Sequence, residues 1–391
     1  MKIAFVVQRY GLEVNGGAEQ HCRLIAERLV PYCSVEVLST CAIDYITWAN
    51  EYPPGEETIC GVTVKRFPVD FKRDIDLFNK KSEKVFRQES SFNDEIEWMR
   101  LQGPYSSSLF SFLKRHKKDY DAIIFFTYLY CTTFFGLPEV SEKAILVPTS
   151  HDEIPIYLSI FKTLFSLPQF ILFNTIEESS FIHKQFANQN ISSDIVGVAV
   201  QGPELVVPEE FIRSHSLHNF VVYVGRIDPS KGCQELFDYF SRYKKDHPSD
   251  LKLVLIGKPV MPIPKHPDII SLGFVDEQTK FNAMAAARVL IMPSPYESLS
   301  MVLLESWFCK RPVLVNGKCQ VLVGQCKRSN GGLWYENYDE FEACLSYLLK
   351  SEKNSFFLGE SGNRFTLNNY DWKVIEKKYL DAIDYIMQQN H

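Results

Sequence analysis

The sequence predicts an α/β protein of two domains, each built on a parallel sheet. Three observations carry that reading. Apolar runs of strand length alternate with helical patterns through both halves, which is the βαβ signature. A chain of 391 residues exceeds one typical domain and suits two. The regular pattern breaks at Gly197–Pro203 and stays polar to Asn219, as an interdomain linker would. Strands are expected at Lys2–Val7, Ser34–Ser39, Thr63–Phe67, Ala122–Phe126, Ala144–Pro148 and Phe170–Asn174. In the second half they are expected at Phe220–Val224, Lys252–Ile256, Ile269–Leu272, Val289–Met292 and Pro312–Val315. The expected domains are 1–205 and 206–370. Residues 371–391 close the chain with apolar positions at helical spacing.

The first strand leads into a loop ending Asn15-Gly16-Gly17-Ala18-Glu19. A helical pattern follows, with Cys22, Ile25, Ala26 and Leu29 on its apolar side. Adjacent glycines let a backbone approach a ligand closely. Another strand end, Ile145–Ser150, leads to His151-Asp152-Glu153. A lone histidine there has a structural reading too, as a partner of Asp152. Residues 66–118 interrupt the alternation. Between Lys65 and Arg87 stand eight Lys or Arg against four Asp or Glu, with Phe67, Phe71, Phe78 and Phe86 interleaved and Phe92 and Trp98 following. Lys114–Lys118 ends the helix pattern Ser107–Leu113, where the helix dipole favours cations. A solvated basic face is the plain reading of this region. An acceptor-facing or membrane-surface patch is the functional one.

In the second half, Val221–Val224 ends at Gly225-Arg226. A turn, Asp228-Pro229-Ser230, then brings Lys231-Gly232 to the start of an amphipathic stretch, Cys233–Tyr243. Arg supplies a planar fork and Lys a point charge, so the pair suits a phosphate near a helix N-terminus. Further on, Glu297 follows the expected strand Val289–Met292, and Glu305 lies eight residues later on an apolar helical run. At about 3.6 residues per turn, that spacing returns nearly to one face. Carboxylates accept hydrogen bonds from sugar hydroxyls, and loops at carboxyl ends of strands bind ligands in open α/β sheets. Helix-dipole pairing or plain solvation is the structural alternative for each glutamate.

Gly225-Arg226, Lys231-Gly232 and Glu297-x7-Glu305, with the glycine pair Gly16-Gly17, together resemble the retaining glycosyltransferases of family 4. That resemblance implies the GT-B fold, two facing Rossmann-like domains with a nucleotide-sugar cleft between them. It implies transfer of a sugar from a nucleoside-diphosphate sugar to an acceptor hydroxyl, with no cofactor and no metal. Arg226 and Lys231 would stabilise the departing diphosphate. Glu297 would hold donor-sugar hydroxyls and His151 would reach the same sugar. Glu305 would take the ribose, and Gly16, Gly17 and the backbone of Ser298, Leu299 and Ser300 would lie against the donor. Gly257 and Val275 stand at family positions near the base, with Phe274 as another candidate or else a core residue. The closing helix would cross back to the first domain. One departure is Ser298-Leu299-Ser300, where the family commonly has a glycine-rich run; the expectation is ordinary φ values or altered donor contacts. Glycan or lipid-linked acceptors are implied, in polysaccharide or glycolipid assembly.

Composition excludes other classes. A net charge of −6 makes no case for nucleic acid. No run approaches the roughly 18 apolar residues of a membrane span. The opening apolar run is too short for a signal peptide, so a cytoplasmic location is expected, with peripheral contact at the inner membrane face as an extension. Ten scattered cysteines lack zinc-site spacing and read as free, mostly buried thiols, although Cys319 and Cys326 are close enough in sequence to meet. Asp74-Ile75-Asp76 has the letters of a metal-diphosphate motif but follows no expected strand. A Rossmann oxidoreductase would need Gly-x-Gly-x-x-Gly after the first strand, which Tyr10–Glu19 lacks. A GT-B epimerase and a non-catalytic nucleotide-sugar binder remain as alternatives.

Overall fold

The computed structural model describes residues 1–14, 16–87, 90–200 and 202–390. Asn15 of the glycine loop and Gln201 of the expected linker lie outside them. The chain divides into two compact units, Met1–Val198 with Lys373–His391, and Ala199–Trp372.

Over the described residues the first unit holds β1 (Lys2–Val6), β2 (Ser34–Thr40), β3 (Gly55–Ile59), β4 (Val62–Phe67), β5 (Ala122–Phe126), β6 (Ala144–Val147), β7 (Phe170–Phe173) and β8 (Ser192–Ile195). They form one sheet in the order β3-β4-β2-β1-β5-β6-β7-β8. All pairings are parallel except the β3–β4 hairpin at the edge. Central strands read as unbroken apolar runs because both faces are covered: β5 and β6 are buried along their whole length. Strand β3, Gly-Glu-Glu-Thr-Ile, was not expected. It is an edge strand exposed over most of its length, with no apolar alternation to show it. Its two-residue turn has positive φ at both Cys60 and Gly61, the geometry that matches strand twist in a hairpin. Strand β8 is equally polar and was also missed.

The helix Gly17–Leu29 buries Cys22, Ile25, Ala26 and Leu29, the face that its periodicity predicts. The closing helix, Trp372–Gln389, belongs to the first unit from Lys373 onward. It buries Ile375, Tyr379, Ala382, Ile383 and Ile386, a single apolar stripe. The Tyr379 hydroxyl meets His21 Nε2 at 3.2 Å inside that packing.

The basic segment is largely internally neutralised. Lys65 pairs with Glu36 and Glu56, Arg66 with Glu57, and Lys81 and Lys84 share Asp94. Phe67, Phe78 and Phe86 pack on the core and Trp98 is buried within it. Thus most of the local positive excess is consumed by ion pairs with carboxylates outside the counted stretch. Asp74 caps the helix Ile75–Phe86 by accepting from the Leu77 N–H at 2.9 Å, which is its structural use.

The second unit holds β9 (Phe220–Val224), β10 (Lys252–Ile256), β11 (Ile269–Gly273), β12 (Leu290–Met292), β13 (Val313–Asn316) and β14 (Gly332–Tyr335). They form a parallel sheet in the order β11-β10-β9-β12-β13-β14. The order reverses between β9 and β12, and open α/β sheets bind ligands beyond the carboxyl ends of strands at such a point. Arg226 follows β9, and Glu297 lies in the segment after β12, so both stand on the two sides of that reversal. Leu236, Phe237 and Phe240 from the helix Cys233–Asp246 join Val221, Leu253 and Leu314 in the core beneath it. Truncating one such side chain to Ala costs about 2–5 kcal/mol.

Candidate active site

Two glycines shape the carboxyl edge of the second unit's sheet. Gly257, just after β10, has φ of 141°, and a Cβ there would lie 1.9 Å from the Gly225 carbonyl oxygen. Only glycine lets the ends of β9 and β10 close up in this way. Gly232 has φ of 75°, and a Cβ would lie 2.2 Å from the Pro293 carbonyl oxygen. That close approach presses the turn carrying Lys231 against the segment carrying Glu297.

The consequence is an ion pair. Lys231 Nζ donates to Glu297 Oε1 at 2.8 Å. Arg226 Nε stands 2.9 Å from Asp228 Oδ2. Burial opposes ionisation of Asp228, but the Ser230 hydroxyl and N–H and the charges of Arg226 and Lys231 together hold its pKa below the usual carboxylate range. The two cations expected to meet a diphosphate thus each rest on a carboxylate. Neither carboxylate partner was foreseen, because Asp228 reads as turn punctuation and Glu297 as a sugar ligand.

Glu305 sits inside the helix Met301–Phe308 and is buried. Its Oε1 accepts from Lys280 Nζ at 3.0 Å, and Lys280 also reaches Glu277 Oε2 at 2.8 Å. Oε2 of Glu305 is buried with no hydrogen-bond partner among the described residues. The two glutamates of the Glu-x7-Glu motif therefore belong to different ion pairs. Lys280 was missed because a lysine on a polar helix start gives no signal of a partner 25 residues on.

Ser300 corrects the expectation of ordinary backbone angles. Its φ is 66° and ψ is 87°, in left-handed territory that a serine enters at a cost. Its Oγ accepts from the Leu303 N–H at 3.4 Å and so caps the Glu305 helix. Leu299 is buried beside it and Ser298 is half-buried. Beyond β11, Val275 is half-buried while Phe274 is 74% exposed, which removes the core role considered for Phe274.

The first unit presents its own residues at the carboxyl edge of its sheet. Gly16 precedes the helix Gly17–Leu29, and a Cβ on it would lie 2.2 Å from Glu19 Oε2. Glu19 in turn accepts from Arg9 Nε at 2.9 Å, and both side chains are buried. His151 Nε2 stands 3.3 Å from Glu153 Oε2, while Asp152 accepts from the Tyr157 hydroxyl at 2.6 Å. His151 thus pairs with Glu153, while the Asp152 carboxylate considered from sequence is engaged by Tyr157. Glu153 is itself held by the Tyr128 hydroxyl at 2.8 Å.

Glu178 lies in the first turn of the helix Ile176–Phe186. It is buried, and its carboxylate accepts from the Ser150 N–H and hydroxyl and from the Asn174 N–H at 2.5, 3.0 and 2.6 Å. It ties the segments after β6 and β7 together immediately before His151. Burial pushes its pKa up to about 7, against the pull of the Asn174 and Ser150 donors.

Among the described residues no group of three or more His, Cys, Asp or Glu is placed to hold a metal ion. All ten cysteines are free. Six of the ten are buried, Cys33, Cys309 and Cys344 are half-buried, and Cys60 is exposed. No helix among the described residues is long and apolar enough to cross a membrane.

This is the two-domain α/β architecture of GT-B glycosyltransferase structures. Sucrose-phosphate synthase from Thermosynechococcus elongatus superposes with a TM-score of 0.72 at 15% identity, over 99% of each chain. Anabaena HepE in complex with UDP and glucose superposes with a TM-score of 0.67 at 14% identity, over 98% of this chain and 99% of that one. The family model for glycosyl transferases group 1 matches residues 218–351, the segment holding Arg226, Lys231, Glu297 and Glu305. An uncharacterized glycosyltransferase of Methanocaldococcus jannaschii is 26% identical over 180 residues, 43% of this chain and 48% of that protein. The chain matches less than half the length of the curated relatives.

Proposed function

We propose that this protein is a retaining glycosyltransferase that moves a sugar from a nucleoside-diphosphate sugar to an acceptor hydroxyl. The observation that carries the reading is the cation–carboxylate cluster at the strand-order reversal, Arg226 with Asp228 and Lys231 with Glu297, within the matched glycosyltransferase segment. As the bond from the anomeric carbon to the diphosphate oxygen breaks, negative charge grows on the leaving group. Arg226 and Lys231 would stabilise it, with no metal required. The acceptor oxygen bonds to the anomeric carbon on the face the diphosphate leaves, and its proton passes to a departing phosphate oxygen. Glu297 would hold donor-sugar hydroxyls, and Gly257 would keep backbone close to the donor. A nucleotide donor is supported by HepE, whose structure was obtained with UDP and glucose. Acceptors in this reading are glycan or lipid-linked hydroxyls.

The test is product analysis. The protein is incubated with nucleoside-diphosphate sugars and simple glycoside acceptors in the presence of a chelator, and the anomeric configuration of any glycoside is read by NMR. An α-donor should give an α-product. An inverted product or a strict metal requirement would refute the mechanism, and an epimerised donor would refute transfer itself.

A further inference from the structure

Lys280 is the least expected part of the second unit's site. It lies on the helix Glu277–Ala286, is nearly enclosed, and carries two carboxylates, Glu277 Oε2 at 2.8 Å and Glu305 Oε1 at 3.0 Å. Glu277 is mostly exposed, so its contact is a surface pairing of little worth. Glu305 is different. A buried carboxylate oxygen without a donor is costly, and Glu305 Oε2 is such an atom. The protein has spent one cation on Oε1 and leaves Oε2 to a donor it does not supply.

We infer that Lys280 is a positioning residue of the nucleotide site: its ammonium anchors one oxygen of Glu305 so that the other is kept for a ribose hydroxyl. This rests on the nucleotide-sugar reading above. With Oε1 held by the Lys280 ammonium, rotation about the otherwise soft last torsion is restrained and Oε2 stays the unengaged acceptor for an incoming hydroxyl. A neutral amide in place of this pair would offer a single acceptor and no charge-assisted bond. The charged and titratable groups facing Glu305 are Lys280 and Glu277 from the neighbouring helix and Cys309 one turn along its own helix. Burial drives Glu305 toward protonation, and Lys280 is the one cation among these groups that opposes it. Replacing Lys280 with Met would leave a buried carboxyl that takes a proton more readily, and a protonated carboxyl accepts a ribose hydroxyl less well.

The experiment is calorimetric binding of UDP, GDP and ADP to the full chain, taking the tightest binder forward with its 2′-deoxy and 3′-deoxy forms. Wild type should lose about tenfold or more on removal of at least one ribose hydroxyl, as expected when a buried polar group is left unpaired. Lys280→Met should bind the parent nucleotide about tenfold more weakly, discriminate little against the deoxy form, and recover part of its affinity as pH is raised. Lys280→Arg should retain most of the discrimination. Equal weakening of parent and deoxy forms by Lys280→Met would overturn the inference and make the lysine merely structural. So would a wild type that binds nucleotide without sensing either hydroxyl, while leaving the donor reading intact. If wild type binds none of the three nucleotides, the donor reading fails and this inference falls with it.

Discussion

Lys231 Nζ and Glu297 Oε1 meet at 2.8 Å although 66 residues separate them in sequence. The pairing joins the cation proposed for the diphosphate to the carboxylate proposed for the sugar. Under the proposed function a donor would exchange these partners: phosphate would replace Glu297 at the ammonium, and sugar hydroxyls would replace the ammonium at Glu297. In that reading the pair would hold both groups in place before a donor arrives, at the cost of one ion pair on binding.

Removing either partner should damage activity far more than folding. The Lys231 side chain is 34% exposed, so the pair contributes no more than about 1 kcal/mol to stability. Lys231→Ala should lower kcat by about a hundredfold or more, since Lys231 would act on charge that develops on the leaving group, and Glu297→Gln should lower activity through weakened contacts to sugar hydroxyls, each with melting nearly unchanged. The double variant should lose less than the product of the single losses. Steady-state kinetics beside thermal melts checks this. A full multiplicative loss would mean that the pair has no coupled role.

Ser300 yields a prediction about stability. Ser300→Ala removes the helix cap and keeps a side chain at φ of 66°, so it should destabilise the second unit by about 1 kcal/mol. Ser300→Gly also loses the cap hydroxyl but relieves the backbone, and should lie within about 0.5 kcal/mol of wild type. Urea unfolding of both variants reads the difference, and the opposite ranking would contradict the strain argument.

His21 makes the first unit acid-sensitive. Burial lowers its pKa from 6.5 to about 3, while the Gly197 backbone acts in the other direction. The unfolded chain takes up a proton near pH 6.5 that the folded chain resists until near pH 3. The folded state is therefore fully favoured above pH 6.5, and this contribution is lost as pH falls toward 3. His21→Phe should flatten the fall in melting temperature between pH 7 and pH 4. Proteolysis of the closing helix, where Tyr379 meets His21, should rise with acid in wild type and less in the variant. An unchanged acid slope in the variant would place the sensitivity elsewhere.

The parts of the fold that show in the sequence are those where one physical signal dominates. Phe220–Val224 and Ala122–Phe126 are apolar throughout because both faces of their sheets are covered, and their bounds are plain from the residues. Gly55–Ile59 and Ser192–Ile195 carry no such signal, since edge position lets polar residues serve. Arg226, Lys231 and Glu297 were recognisable as strand-end residues because turn chemistry marks those places. Their ion-pair partners were not, because which charges meet depends on how the segments fold onto one another. Lys280 with Glu305 and Ser150 with Glu178 are contacts of that kind. The φ of Ser300 was missed for another reason: the tertiary setting imposes an angle that serine alone would not choose.

The most direct test of the donor site is the melting temperature of the purified protein against UDP-, GDP-, ADP- and TDP-sugars in the presence of a chelator. Binding to the folded state raises the melting point by linkage. The account predicts a rise with one donor that is lost in Arg226→Ala and in Glu305→Ala, both still folded. A flat response to every donor at millimolar concentration, or a rise that survives both substitutions, would contradict the placement of the nucleotide-sugar at this strand edge.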